Sequence, residues 1–377
     1  MNSIFNTRLQ ELAGSGNLRA IPADGAGMPL IDFSSNDYLG LATDTDLRQD
    51  FFKNTAEEEL LMTASASRLL ARRQDAFNRL EAVIEKCYAS PALLFNSGYH
   101  ANTGLISALA DKDCTILADK LVHASIIDGI RLSGAPFERF RHNDTAHLER
   151  LAQKASAQGQ RLLIVVESVY SMDGDTAPLE EIIDIKMRYP DALLYVDEAH
   201  AVGVCGPCGL GEVAALNDDR RQAVDVVVGT LGKALASAGA YAVMKEELRS
   251  WAVNKARSFI FSTALPAACA LWSIHTFQKA LDMESERLRL RRIGCRVAEA
   301  IGSSHHGHIQ PFMVGDPQRA VMFSQLLKTK GLDVLPIRTP TVPPGTDRLR
   351  ISLSAAHSDT EIDSLIEALK SLRTNPI

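Results

Sequence analysis

Lys233 stands in the stretch AVDVVVGTLGKALAS (223–237), where a short apolar run gives way to glycine, threonine and lysine. The run Val224 to Val228, interrupted by Asp225, reads as a buried strand that Gly229 and Gly232 break, with an alanine-rich segment beyond that could start a helix. A lysine on such a turn lies at the C-terminal end of a buried strand, where open α/β sheets place their ligands. Desolvation there favours the neutral amine, which can act as nucleophile or base. A nucleotide-binding P-loop is excluded. That motif needs a glycine five residues before Gly232 and a Ser or Thr after the lysine, and Val227 and Ala234 hold those places.

Two further apolar runs, Leu162 to Val166 and Ala192 to Val196, precede this one at a spacing of about 31 residues, which suits successive strand–helix–strand units of a parallel sheet. Each run ends in polar residues: Glu167-Ser168 with Ser171 after the first, Asp197-Glu198-Ala199-His200 after the second, Thr230 and Lys233 after the third. A fourth run, Ala92 to Phe95, leads into Asn96-Ser97-Gly98-Tyr99 and the helical pattern HANTGLISALA. Free N–H groups at that helix start suit a phosphate, with Gly98 permitting close approach.

An amine at one strand end, an acid at another, an imidazole three residues past the acid and a phosphate cradle match one cofactor. Pyridoxal 5′-phosphate (PLP) needs a lysine for its aldehyde and a carboxylate to keep its pyridine nitrogen protonated. Asp197, His200, Thr230 and Lys233 can fill these roles.

The surrounding elements suggest three parts. Residues 1–45 read as an arm, with a short helical piece from Ile4 to Leu12 and Ile31 and Phe33 alternating like a strand. Residues 46–272 carry the α/β pattern of a large cofactor-binding domain, with helices over Ala56 to Leu61 and Gln74 to Cys87. Residues 273–377 read as a smaller α+β domain. In it a long charged helical pattern covers Ser273 to Ala300, and strands are expected at Ile309 to Val314, Leu332 to Ile337 and Leu349 to Leu353. Helices fit Gln318 to Lys330 and Ser358 to Leu372, the second opening on the capping box Ser358-Asp359-Thr360-Glu361.

Composition narrows the function classes. At 377 residues, 46% hydrophobic and 23% charged, the chain has the make-up of a soluble globular protein, and a net charge of −6 argues against a nucleic-acid partner. The basic run Arg287 to Ile293 is flanked by Glu284, Glu286 and Glu299 and reads as a solvated helix face. No apolar run has the length of a signal peptide or a membrane span, which points to the cytoplasm and to reduced thiols. Cys205 and Cys208 have C-x-x-C spacing but lie in a glycine-rich loop, so neither redox chemistry nor zinc is expected of them. His305, His306 and His308 read as a surface turn rather than a metal centre.

Ordered motifs from about Leu18 to the C-terminus carry a resemblance: FSSNDYLGL (33–41), FNSGYHANTGLISAL (95–109), DKLVHASIIDG (119–129), ESVYSMDGDTAPL (167–179), VDEAHAVGV (196–204), GTLGKAL (229–235), FIFSTALP (259–266) and TPTVPPGTDRLRISLSAAH (339–357). With these the chain resembles the α-oxoamine synthases, of fold type I among PLP enzymes. The resemblance implies an α/β transferase with a mainly parallel large-domain sheet and a smaller α+β C-terminal domain. It matches Lys233 to the lysine that bonds the cofactor aldehyde, Asp197 to the partner of the pyridine nitrogen, and His200 and Ser171 to residues near the phenolic oxygen. His123 matches the imidazole stacked on the ring, and Ser97, Gly98, Tyr99 and Thr230 match phosphate-side and cofactor contacts. Arg350 falls where the family holds the amino-acid carboxylate, Asn36 lies near the same substrate, and Arg19 and Thr341 match acyl-substrate positions. No metal is implied.

Within the family, FSTALP and IRTPTVPPGTDRLR look most like the member that condenses L-alanine with a pimeloyl thioester, carried by coenzyme A or acyl carrier protein, toward biotin. A glycine C-acetyltransferase-like synthase using glycine and a short acyl-CoA is the alternative. Thr63 to Arg68 departs from a glycine-rich stretch of many relatives, and its added Cβ atoms restrict the backbone there. The resemblance further implies a homodimer in which Ser262 or Thr263 reaches the neighbour's phosphate.

Overall fold

The computed structural model describes residues 3–19, 21 and 30–374. They form two compact units, one of Leu39–Tyr170 and Thr176–Arg287, the other of the described residues up to Tyr38, Ser171–Asp175 and the described residues from Leu288 on. These divisions differ from the boundaries at 45 and 272 expected from sequence. The arm groups with C-terminal residues because Ile31–Asp32 pairs in parallel with Leu332–Asp333.

The larger unit is built on a seven-stranded sheet: β1 (Ala92–Phe95), β2 (Cys114–Asp119), β3 (Phe137–Phe140), β4 (Arg161–Glu167), β5 (Leu193–Asp197), β6 (Val226–Thr230) and β7 (Ala240–Met244), in the order β1-β7-β6-β5-β4-β2-β3. Only β7 runs against its neighbours, so β1 points the same way as β6 and six strands end on one edge. The mainly parallel sheet expected from the spacing is present. Its central strands are unbroken apolar runs because both faces are buried, as in β4 where every residue after Arg161 is covered. β3 is an edge strand whose Glu138 and Arg139 stay exposed, a composition that blunts edge pairing and hides the strand from an apolar-run search.

The segment around Lys233 corrects the sequence reading in two ways. Gly229 lies inside β6 rather than ending it. It sits directly opposite Tyr241 of β7, and a Cβ there would come within 2.3 Å of the tyrosine Cζ, so the glycine makes room for a buried ring. Beyond Thr230 no helix starts. The chain instead closes a loop through Leu231 N–H to Gly239 O (3.0 Å) and Ser237 N–H to Leu231 O (2.8 Å).

Helices flank the strands: α1 (Asp75–Tyr88), α2 (Gly98–Leu109), α3 (Ala124–Ser133), α4 (Thr145–Ala157), α5 (Leu179–Met187) and α6 (Ala267–Leu281). The segment Ala56 to Leu61, expected to be helical, forms only a single 3-10 turn at Glu57–Glu59. The long pattern from Ser273 to Ala300 is two helices, α6 and Glu284–Ile301. The break has a cause. Arg287 turns its guanidinium back onto the Ala280 and Leu281 carbonyls, at 2.6 and 3.1 Å, and so caps the end of α6.

The smaller unit holds an antiparallel sheet of β8 (Ile309–Met313), β9 (Leu335–Ile337) and β10 (Arg348–Ser352), with β10 in the middle. Helices Pro317–Thr329 and Asp359–Thr374 accompany it. The second opens on the capping box read from sequence: Ser358 Oγ accepts from Glu361 N–H at 3.2 Å and Glu361 Oε2 accepts from Ser358 N–H at 2.7 Å.

Candidate active site

Four candidate site residues of the larger unit, Asp197, His200, Thr230 and Lys233, come from the edge where its parallel strands end. Asp197, the last residue of β5, is buried, and its two oxygens are separately held. Oδ2 accepts from Asn102 Nδ2 at 2.7 Å, and Oδ1 from the Ala199 N–H at 2.9 Å. Asn102 reaches it from one turn inside α2. Its other amide bonds go to Ser125 Oγ (2.9 Å) and from the Tyr195 hydroxyl (2.7 Å). Ser125 in turn meets His123 Nδ1 at 2.8 Å, so one chain of hydrogen bonds runs from the β5 carboxylate to the imidazole that caps α3.

Lys233 Nζ stands 2.8 Å from His200 Nε2. The two residues follow neighbouring strands, β5 and β6, whose register places Asp197 beside Val228. Thr230 ends β6 with its hydroxyl on Gly239 O at 3.3 Å, and it accepts the Gly232 N–H at the same distance.

Charge is concentrated at this edge. Glu167 ends β4 directly beside Asp197 and accepts the His123 N–H. Burial, and then the Asp197 charge, hold the Glu167 carboxyl well above the usual range. Burial lowers the His123 imidazole, against the pull of Asp197. Glu198 points elsewhere: it is fully buried, takes the Val213 N–H at 3.0 Å, and is pushed by burial up to about 8.

At the start of α2, Ser97 Oγ accepts the His100 N–H at 3.2 Å. The N–H groups of Gly98 and Tyr99 are left without an acceptor in the helix. A Cβ built on Gly98 would meet nothing within 4 Å, so the backbone there is open to an approaching anion. Tyr99 itself is turned to Asp128, to which its hydroxyl donates. This donor set fits PLP: a primary amine against an imidazole, a buried and doubly bonded carboxylate, and an open helix N-terminus.

In the smaller unit Arg350, on β10, is 4% exposed. Its Nε donates to Ser171 O at 2.6 Å and one terminal nitrogen to Asn36 Oδ1 at 3.1 Å, so three residues named from the sequence meet there. Arg19 donates to Thr341 Oγ1 at 3.0 Å, which joins the two residues that the resemblance matches to acyl-substrate positions. Of the histidine turn, His308 is buried with its ring edge-on to Tyr38. Cys205 and Cys208 form no disulfide, and Cys208 sits within a single 3-10 turn, Pro207–Gly209.

Asn102 and Ser125 were not singled out by sequence, and Glu167 was named there only as a polar residue closing a strand. Asn102 left one usable signal, an amide amid the apolar residues of α2, four positions after Gly98.

Comparison with known proteins places the chain in a family. Residues 28–369 match the family aminotransferase class I and II. The chain belongs to that family. It is 45% identical to the putative 8-amino-7-oxononanoate synthase of Pasteurella multocida, over 91% of this chain and 90% of that one. Against the 8-amino-7-oxononanoate synthase of Haemophilus ducreyi the identity is 43%, over 97% and 100%. A serine palmitoyltransferase variant from S. paucimobilis, solved with bound PLP–myriocin, superposes with a TM-score of 0.88 at 28% identity, covering 99% of this chain and 98% of that chain. Within the family the chain is an α-oxoamine synthase, a PLP-dependent acyltransferase of fold type I. No helix among the described residues is long and apolar enough to cross a membrane.

Proposed function

We propose that this enzyme condenses L-alanine with a pimeloyl thioester to give 8-amino-7-oxononanoate, carbon dioxide and the free thiol, a step of biotin synthesis. The observation that carries the chemistry is the Lys233 amine 2.8 Å from His200, on the edge where Asp197 is tied by Asn102. The choice of substrates is supported by the names of relatives that match over nearly the whole chain.

Bound at this edge, PLP supplies an electron sink for the substrate's α-carbon. Lys233 would hold the cofactor through its aldehyde, and its Nζ, when free, would take the α-proton of alanine. His200 beside it would keep the amine oriented, and His200 and Ser171 would serve the cofactor's phenolic oxygen. Asp197 would hold the proton on the pyridine nitrogen, and His123 would lie against the ring. Ser97, Gly98, Tyr99 and Thr230 would serve the phosphate side and other cofactor contacts. Arg350 and Asn36 fix the substrate carboxylate, so the bond to be broken is oriented rather than left to chance, an effect that can be worth several powers of ten. A carbon–carbon bond then forms to the acyl carbon as its bond to sulfur breaks. Loss of carbon dioxide and return of a proton to the α-carbon complete the product. Arg19 and Thr341 contact the acyl substrate.

The enzyme works as a cytoplasmic homodimer in this reading, with coenzyme A or acyl carrier protein as acyl donor. Turnover with alanine or glycine, each against pimeloyl and acetyl thioesters, tests it. Alanine with a pimeloyl donor should exceed the other pairs. Preference for glycine with acetyl-CoA would instead assign the glycine C-acetyltransferase-like reaction.

A further inference from the structure

Ala236 adopts a left-handed conformation, φ 45°, three residues after Lys233. Alanine disfavours this region because its Cβ crowds the backbone. Something must hold it there. The turn closes directly on the lysine, since Ala236 N–H donates to Lys233 O at 2.8 Å. From outside the loop, α6 grips it with two successive residues. Trp272 Nε1 donates to the Ala236 carbonyl at 2.9 Å, and Ser273 Oγ lies 2.7 Å from Ser237 Oγ. The indole is itself set edge-on against Phe51, with ring centroids 5.1 Å apart.

We infer that Trp272 is a positioning residue for the catalytic amine: its indole N–H clamps the Ala236 carbonyl, and the strained turn so held fixes where Lys233 Nζ stands against His200. Trp272 touches none of the reacting atoms. It acts only through the loop. Without the clamp, Ala236 relaxes toward an ordinary backbone conformation and carries the lysine with it. Glycine at 236 bears no such penalty, so the remaining bonds of the loop suffice to keep the turn. The inference rests on Lys233 being the residue that bonds the cofactor.

The test uses PLP-loaded protein carrying Trp272→Phe, Ala236→Gly or both. Phenylalanine keeps the ring and loses the donor, so kcat should fall about three- to tenfold. KM for alanine should stay within about twofold. The pH midpoint of the cofactor's visible band should move with kcat, because that band reports the surroundings of the lysine nitrogen. Adding Ala236→Gly to Trp272→Phe should restore most of the loss and bring the midpoint back. An unmoved midpoint and kcat in Trp272→Phe, or a loss that Ala236→Gly leaves unrepaired, overturns the inference. Should Trp272→Phe not fold, Ser237→Ala removes the second tie to α6 and must shift the same midpoint, or the inference falls. Borohydride fixation of the cofactor on Lys233 in the parent protein is measured alongside. Its absence would sink the functional reading, whereas its presence with an unmoved midpoint sinks the clamp alone.

Discussion

Asn102 and Asp197 face each other across 2.7 Å, an amide on α2 donating to the carboxylate that ends β5. The pair joins the helix that begins at Ser97 to the strand that carries the acid. One side chain therefore ties the helix start proposed to hold the phosphate to the acid proposed to face the pyridine ring. Tyr195 fixes the amide from its other end, so Asn102 has no second orientation that keeps all its bonds.

Asn102→Ala should therefore weaken PLP binding about 10- to 100-fold, since a hydrogen bond to a charged group is worth about 1.5–3 kcal/mol. Titrating the apoprotein with the cofactor and following its absorbance measures this. Undiminished affinity would mean that Asp197 is oriented without the amide.

Arg350→Lys keeps the positive charge and discards the planar fork. Its Nε bond to Ser171 O and its terminal bond to Asn36 Oδ1 cannot both be made by an ammonium while it also pairs a carboxylate. KM for alanine should rise about tenfold or more, with a smaller change in kcat. Steady-state kinetics at saturating acyl donor reads it. An unchanged KM would remove Arg350 from the substrate site.

Glu198 makes stability depend on pH. Its folded carboxyl is pushed from 4.5 up to about 8 by burial. Between those values the folded chain keeps a proton that the unfolded chain has lost. The contribution is fully present below 4.5 and is lost as pH rises through 8. Glutamine cannot ionise. The thermal midpoint of Glu198→Gln relative to the parent should therefore climb by about 4 °C or more from pH 5 to pH 8. A difference that stays flat over that range contradicts it.

Sequence reading found β4, β5 and β6 because parallel strands covered on both faces are written as unbroken apolar runs. The polar residues closing them were legible for the same reason: chemistry begins where the apolar run stops. Gly229 misled, because its partner Tyr241 lies on an antiparallel neighbour that no local pattern announces. Ala236 escaped notice because an alanine at positive φ looks in sequence like any helix former. Asn102 and Ser125 act across 23 positions of chain, and only folding brings their side chains to 2.9 Å. Arg350 was reached by family resemblance, since an arginine in an alternating strand has no local mark of a carboxylate partner.

The most direct measurement is to load the protein with PLP, reduce it with borohydride, digest it and weigh the peptides. The mass of the reduced cofactor should appear on the peptide holding Lys233 and nowhere else, and Lys233→Ala should lose both that mass and all turnover of alanine with a pimeloyl thioester. A tag on another lysine, or turnover that survives the substitution, would contradict the role given to this amine.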